Sequence, residues 1–150
     1  MRPGLRLSLQ QPDGRHREVL TRSFVARCIR AALDRPADIT VRLVGQAEGL
    51  RLNRQYRSQR HATNVLTFDY AREPVVCADL VLAASVVEAE AVAAGIGLSA
   101  HYAHLLVHGT LHAQGMDHLK PTEARRMEAR ETLVLAGLGV ADPYRRPPAE

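Results

Sequence analysis

Four short segments of the chain carry the pattern of β-strands. Apolar and polar residues alternate in LRLSLQ at 5–10, and ITVRLV at 39–44 is apolar and β-branched. NVLTF at 64–68 and ADLVLA at 78–83 are two further apolar segments, and the link between them is too short to hold a helix. We therefore predict four strands, the last two of them joined as a hairpin.

Five other segments are predicted to be helices, at 18–34, 46–56, 85–94, 100–113 and 122–135. In the first of them the apolar residues recur every three or four positions, as on one face of a helix.

Several residues mark the ends of these helices. Pro36 ends the first helix, and Gly95 and Gly97 stop the third. Ser99 is the predicted N-cap of the fourth.

The order of these elements predicts one α+β domain over 1–150, with a mixed sheet of about four strands and about five helices. No internal repeat or linker divides the chain, and its proline-rich end at 145–150 is predicted to be a flexible tail.

Composition narrows the class of protein. A hydrophobic fraction of 46% and a charged fraction of 24% are typical of a globular protein with a single core, and 150 residues suit one domain. No apolar run reaches the roughly 20 residues that span a bilayer, and the first residues do not resemble a secretory signal. We expect a cytoplasmic protein that has no membrane partner.

Charge and aromatic content bear on the partner. The net charge of +4 favours anionic partners, but no tryptophan, two phenylalanines and four tyrosines argue against a surface that stacks bases on aromatic rings. Two cysteines without CxxC spacing do not make a disulfide framework, and Cys28 is predicted to be a core residue.

The densest chemistry lies in HGTLHAQGMDH at 108–118. His108 and His112 are one helical turn apart, so both imidazoles project from one face and can bind one metal ion. Gly115 can end the helix and return the chain, which would bring His118 to the same ion. Three protein ligands leave a fourth position for water or substrate, which is typical of a catalytic metal site.

The neighbours of these ligands have less certain roles. His104, one turn before His108, is predicted to pack or hydrogen-bond near the site, or to act as a base, and not to be a fourth ligand. Asp117 either orients a histidine or acts as a base, or it is simply a turn residue before a helix. The other histidines have no comparable partner and are predicted to lie on the surface: His16, His61 and His101.

Gly109 distinguishes this motif from that of metal-dependent peptidases. Those enzymes carry His-Glu-x-x-His, in which the glutamate is the general base. Glycine has no side chain that accepts a proton, so the motif handicaps peptide hydrolysis.

A basic stretch precedes the third strand. Arg51, Arg54, Arg57 and Arg60 recur every three residues and form a rough basic stripe. The planar guanidinium group suits phosphate oxygens, so the stripe is a candidate RNA-binding surface. The alternative, which the charge pattern alone favours, is a solvated helix face with arginines near its C-terminal dipole.

Several segments together resemble the YbeY family of bacterial endoribonucleases and rRNA maturation factors. HGTLHAQGMDH is similar to the family's His-Gly-x-Leu-His-x-x-Gly-x-Asp-His, and LNRQYR and TNVLTF are similar to two upstream motifs. ADLVLA and MEARETLVLAGLGVADPY are similar to a family strand and to the closing helix with its Asp-Pro-Tyr ending. The resemblance covers the chain from about residue 50 to its C-terminus.

The resemblance implies a zincin-like α+β fold, a divalent metal ion and cleavage of single-stranded RNA. The family acts in ribosome quality control and rRNA maturation, including the 3′ end of 16S rRNA. By position it implies His108, His112 and His118 as metal ligands and Arg57 as a catalytic arginine. The implied partners are rRNA and the ribosome or its small-subunit proteins, and DNA is not expected.

The chain departs from the family pattern in the loop after Arg57. The family has Asp-x-Pro-Thr where this chain has Arg60-His61-Ala62-Thr63, so the loop is more positive. Ala78 replaces a glycine and Thr67 a serine, and neither change touches the ligands.

The sequence therefore predicts metal-assisted hydrolysis of RNA phosphodiester bonds. One metal ion per chain is expected and zinc suits three histidines, although nickel and copper share that preference. Arg57 would offset the negative charge that builds on the phosphate. The attacking group, water or the ribose 2′-hydroxyl, is left open.

Two alternatives remain at this point. One is a metal-dependent peptidase with a base from elsewhere in the chain, and the other is a non-catalytic ribosome-assembly factor braced by its metal.

Overall fold

The computed structural model of the protein describes residues 4–48, 51, 65–116 and 119–144. Its fully described elements, in chain order, are β1 (Leu5–Gln10), α1 (Arg22–Ala32), β2 (Ala37–Val44), β3 (Val65–Ala71), β4 (Val76–Ala83), α2 (Ala84–Ala94), α3 (Leu98–Ala113) and α4 (Pro121–Gly137). Residues 46–48 and 51 are also helical, in agreement with the helix predicted at 46–56 as far as it is described. Among the described residues, no helix is both long and apolar enough to span a membrane.

The four strands form one mixed sheet in the order β1-β2-β4-β3. β1 and β4 both run parallel to β2, whereas β3 is antiparallel to β4. The α+β class, the mixed sheet and the hairpin between the last two strands are thereby confirmed. The two parallel pairings need crossover connections, which α1 supplies between β1 and β2.

Helix α3 lies at the centre of the fold. It contacts α1, α2, α4, β3 and β4, and most of its residues from 101 to 113 are buried. Tyr102 and Leu106 are wholly inaccessible to solvent. Because other elements cover the helix on several sides, its sequence is apolar nearly all round and has no clear polar face. The first residues of the histidine motif, 108–113, thus lie on a helix that is buried on several sides.

Helix boundaries differ from the prediction for local reasons. α1 begins at Arg22, and not near residue 18, because Thr21 caps it by accepting a hydrogen bond from the Phe24 amide at 3.2 Å. α3 begins at Leu98 after Gly97, so the prediction of Ser99 as its N-cap is wrong. Cys28 is buried in the core as predicted, and burial raises the pKa of its thiol to about 11.

The prediction that His16 and His101 lie on the surface is wrong. Their exposed fractions are 7% and 8%, and each imidazole contacts a glutamate of α2. His101 Nε2 lies 3.1 Å from Glu90. A polar ring can be buried when it is hydrogen-bonded. The glutamate partners of these two histidines belong to a different element, α2, so the local sequence pattern did not indicate them. His61 lies outside the described residues.

His16 links the loop after β1 to two helices. Its Nε2 donates to Glu88 at 2.8 Å, since a carboxylate can only accept, and its Nδ1 then accepts from the Tyr102 hydroxyl at 2.6 Å. Burial raises the pKa of Tyr102, which keeps that hydroxyl protonated and able to donate.

We predict that His16→Ala lowers the free energy of unfolding by about 2 kcal/mol, because it leaves the buried Tyr102 hydroxyl without its acceptor. The double variant His16→Ala/Tyr102→Phe should be less destabilised than the sum of its single variants. Urea unfolding of the four proteins measures this coupling, and strict additivity would contradict the hydrogen bond.

Candidate active site

The last two turns of α3 present His108 and His112 on one face, as their spacing predicts. The helix ends just beyond them, where Gly115 has φ of +105° and its amide donates to the His112 carbonyl at 3.0 Å. The left-handed backbone at Gly115 turns the chain back, which confirms the helix stop expected there.

His112 is held by its own turn. Its Nδ1 lies 3.0 Å from the carbonyl oxygen of Met116, which can only accept, so Nδ1 carries the hydrogen. In the neutral imidazole the lone pair then lies on Nε2. The turn after α3 therefore sets both the ring orientation and the tautomer of His112.

His108 is held in the same way by a different group. Its Nδ1 makes a short hydrogen bond to Glu131 of α4, whose side chain is wholly buried. The carboxylate accepts, so the lone pair of neutral His108 is also on Nε2. Metal-binding histidines characteristically donate their other ring nitrogen to a carboxylate or a carbonyl, and His108 and His112 show one of each.

Glu131 is the centre of a buried polar cluster. Its carboxylate also accepts from His104 Nε2 at 3.2 Å and from the hydroxyl of Tyr144. Burial by itself raises the pKa of Glu131, but the hydrogen bonds from His104, His108 and Tyr144 outweigh it and bring the pKa to about 2. The cluster therefore places a negative charge beside His104 and His108 of α3.

Sequence reasoning missed Glu131. The residue lies on the buried stripe of α4 with Met127, Val134 and Leu135. A carboxylate on an otherwise apolar helix face was the available signal, since such a group is rarely buried unless it has partners.

His104 occupies the neighbourhood predicted for it. Its Nε2 faces Glu131 and lies 3.2 Å from the Tyr144 hydroxyl, whereas His108 meets Glu131 through Nδ1. The placement agrees with a hydrogen-bonding neighbour. Its part in catalysis stays a prediction.

The remaining predicted site residues lie largely outside the described part of the chain. These are His118, Asp117, Arg54, Arg57 and Arg60. Arg51 is described, and it is helical and exposed. Within the described ranges no three histidine, cysteine, aspartate or glutamate side chains are grouped to hold a metal ion, so the triad that includes His118 stays a prediction.

Gly109 faces the sheet, and α3 packs closely on the sheet at this residue. A Cβ atom on it would lie 3.0 Å from Leu80 Cδ2 and 3.4 Å from Val65 Cγ2, both in the buried core. A glutamate at this position would be directed into apolar side chains. Packing against the core therefore favours glycine at this position, and glycine also lacks the side chain that serves as the general base in the peptidase motif.

A cavity of about 230 Å³ opens beside His108. Glu131 and Tyr144 form part of its wall, together with Met127 and Glu128 of α4. The cavity gives a small group access to the side of α3 that carries the histidines.

Comparisons with known proteins point to one family over most of the chain. The family described as Endoribonuclease YbeY matches residues 10–139. A relative from Methylibium petroleiphilum, named Endoribonuclease YbeY, is 66% identical over 143 residues, or 95% of this chain and 96% of the relative. One of the same name from Polaromonas naphthalenivorans is 59% identical over 146 residues, 94% of this chain and 97% of the relative.

A solved structure supports the fold. The solution structure of a Thermotoga maritima protein superposes with a TM-score of 0.53 at 21% identity, and the match covers 95% of this chain and 99% of that one. At this identity the likeness concerns the fold alone.

Replacement of Glu131 by glutamine should change how stability depends on pH. The pKa of Glu131 is about 2 in the folded chain against an ordinary value of 4.5. The ionised carboxylate thus stabilises the fold above pH 4.5, and this contribution is lost as the pH falls from 4.5 towards 2. The free energy of unfolding should be higher for wild type than for Glu131→Gln, and this difference should be on the order of 3 kcal/mol larger at pH 7 than at pH 2.

Urea unfolding in the presence of a chelator, across this pH range, measures that difference. Glu128→Gln on the same helix is the control, and it should retain most of the wild-type acid dependence. A constant gap between wild type and Glu131→Gln would contradict the lowered pKa.

Gly109→Glu restores the pattern of a peptidase but should not restore its chemistry. The carboxylate would meet Leu80 and Val65, so we expect a loss of about 3 kcal/mol or more in the free energy of unfolding. Gly109→Ala is the control. Alanine favours the helix by about 1 kcal/mol over glycine, which offsets the cost of its close contact with Leu80, so this variant should lose much less stability than Gly109→Glu. A stable Gly109→Glu protein that digests casein would refute this assignment.

Proposed function

The chain belongs to the YbeY family, and on that premise we propose that it is a metal-dependent endoribonuclease that cleaves single-stranded RNA in rRNA maturation. The proposed role includes processing of the 3′ end of 16S rRNA and ribosome quality control. The names of the relatives support RNA cleavage, because they cover nearly the whole chain at high identity.

One observation in the site supports the metal. His108 and His112 lie one turn apart, and Glu131 and the Met116 carbonyl each hold an Nδ1–H, so both lone pairs are on Nε2. This donor set fits a divalent ion that prefers imidazole, of which zinc is our first choice. His118 would complete the set of ligands from the turn after Gly115.

When bound, the ion supplies Lewis-acid stabilisation of the phosphate and lowers the pKa of water at the site. Arg57 would offset the charge of the phosphate in the transition state, and Arg51, Arg54 and Arg60 would bind the RNA backbone. Asp117 or His104 would act as the base that accepts a proton from the attacking group.

Glu131 has a positioning role in this proposal. It fixes the ring of His108 and places a negative charge near the histidines, which favours binding of a cation. Because it is buried and already accepts three hydrogen bonds, we do not assign it as the general base.

Peptide hydrolysis is less well supported. The general base of the peptidase motif would occupy position 109, where a side chain would be directed towards Leu80 and Val65 in the core. A non-catalytic assembly factor would share the metal site, so only a cleavage assay separates it from the enzyme. We propose that the protein works in the cytoplasm with the ribosome or its small-subunit proteins.

Substitution of His112 and Arg57 tests the proposal. His112→Ala and Arg57→Ala should each lower cleavage of an rRNA precursor, assayed with ribosomes present, by at least about 100-fold. Only His112→Ala should lower the bound metal, measured by elemental analysis, since Arg57 binds phosphate and not the ion.

His101→Gln is the control, because this histidine lies on the same helix but hydrogen-bonds to Glu90 of α2. It should retain both metal and activity. Full activity in both test variants would refute the assigned site, and RNA binding without cleavage by the metal-loaded wild type would favour the assembly factor.

A further inference from the structure

A long groove follows α1, away from the histidines. Two adjoining depressions form it, and they share Ser23, Ala26 and Arg30. One, of about 670 Å³, lies between α1 and the C-terminal end of α4, and the other, of about 480 Å³, lies between α1 and β1. We call the two together the α1 groove. Each is larger than the cavity beside His108, so the groove is a substantial surface feature.

The charge of the α1 groove is one-sided. Arg22, Arg27 and Arg30 line it, and among the residues that the structure describes no aspartate or glutamate does. Among the described residues, none of these three arginines forms an ion pair with a carboxylate.

Other arginines of the described residues do form ion pairs with carboxylates. Four of them are Arg15, Arg35, Arg42 and Arg72. The α1 groove therefore concentrates positive charge that the described fold does not neutralise, and this favours an anionic ligand.

The positions of the arginines suit an extended ligand. Arg22 and Arg30 are eight residues apart on one helix, which corresponds to about 12 Å along its axis. A helical nucleic-acid strand advances about 3.4 Å per phosphate, so this length matches three to four phosphates. Arg22 is also fixed in place, because its guanidinium donates to the Leu7 carbonyl of β1 at 2.6 Å.

The lining of the α1 groove indicates how such a ligand would be held. In the described part of the chain, its lining includes no aromatic side chain on which a base could stack, and it contains small or aliphatic residues such as Ala26 and Leu7. Contacts would therefore be made to phosphate and sugar and would tolerate any sequence.

One contact relates the α1 groove to the candidate active site. Gln114, two residues after His112, donates to the Ala32 carbonyl at the end of α1 and accepts from the Asp34 amide, both at 2.8 Å. The turn after α3 is thus attached to the end of α1 near Arg30.

We propose that the α1 groove binds the sugar–phosphate backbone of RNA outside the cleavage site. This proposal rests on the proposed function, because RNA is the extended polyanion on which the chain is proposed to act. An acidic protein segment has the same charge, and a polyglutamate probe distinguishes it from RNA.

The salt dependence of RNA binding tests the α1 groove. Labelled single-stranded RNA is titrated with protein in the presence of a chelator, so that no cleavage occurs, and binding is followed by fluorescence anisotropy at several salt concentrations. Arg27→Gln/Arg30→Gln should make the slope of log K against log salt less steep by about 1.4, since each phosphate contact contributes about 0.7.

The matched control is Arg6→Gln/Arg17→Gln, which removes the same charge from exposed positions outside the α1 groove. It should leave the slope within about 0.3 of that of wild type. Far-ultraviolet circular dichroism verifies that both variants fold, as expected because glutamine and arginine have similar helix propensities in α1 and because Arg6 and Arg17 are exposed.

The outcomes separate the two proposals. If metal-loaded wild type cleaves RNA but both double variants show the wild-type slope, the α1 groove proposal is refuted and the proposed function stands. If the groove variant loses binding to labelled polyglutamate while its RNA slope is unchanged, the α1 groove is a surface for acidic peptides, and the proposal is also refuted. Absence of RNA cleavage by wild type would instead refute the proposed function.

Discussion

The close contact between α3 and the sheet at Gly109 is the constraint on which the rest of the structure depends. A Cβ atom there would lie 3.0 Å from Leu80 Cδ2, so any larger residue would force the Leu80 side chain to shift, and glycine allows the helix to lie this deep without that shift. At that depth α3 is surrounded by both strands of the hairpin and by three other helices. The orientation that directs Gly109 at the sheet also brings His108 next to α4 and Glu131.

Glu131 shows how closely stability and function are joined here. A wholly buried carboxylate is costly unless donors surround it, and here His104, His108 and Tyr144 do so. The same hydrogen bonds hold α4 and the chain beyond it against α3. A group that orients a candidate metal ligand is therefore also part of the core, and neither role can change without the other.

Much of the fold was predictable because its signals are local. The strand patterns, the hairpin link and the glycine at the end of α3 depend on residues that are close in the chain, and each of these predictions is confirmed. Helix starts were less accurate, as at Thr21 and Gly97, because a cap depends on backbone geometry that apolar spacing does not specify.

The buried histidines were not predictable for a different reason. His16 meets Tyr102 and Glu88 across 86 and 72 residues, and the partners of a polar side chain at that separation leave no trace in local pattern. The same holds for the surface of α1, whose arginines share one groove only because β1 and the end of α4 flank the helix.

The sequence by itself determined the α+β class, the spacing that puts His108 and His112 on one face, and the family to which the motif belongs. These follow from the helical period and from residue identity, which tertiary structure does not alter. Only the tertiary structure decided which group holds His108, since Glu131 lies 23 residues beyond it and reaches it through the packing of α4 on α3. It also decided how closely Gly109 packs, because its tight contact is made with Leu80 and Val65 of strands that lie far from it in the chain.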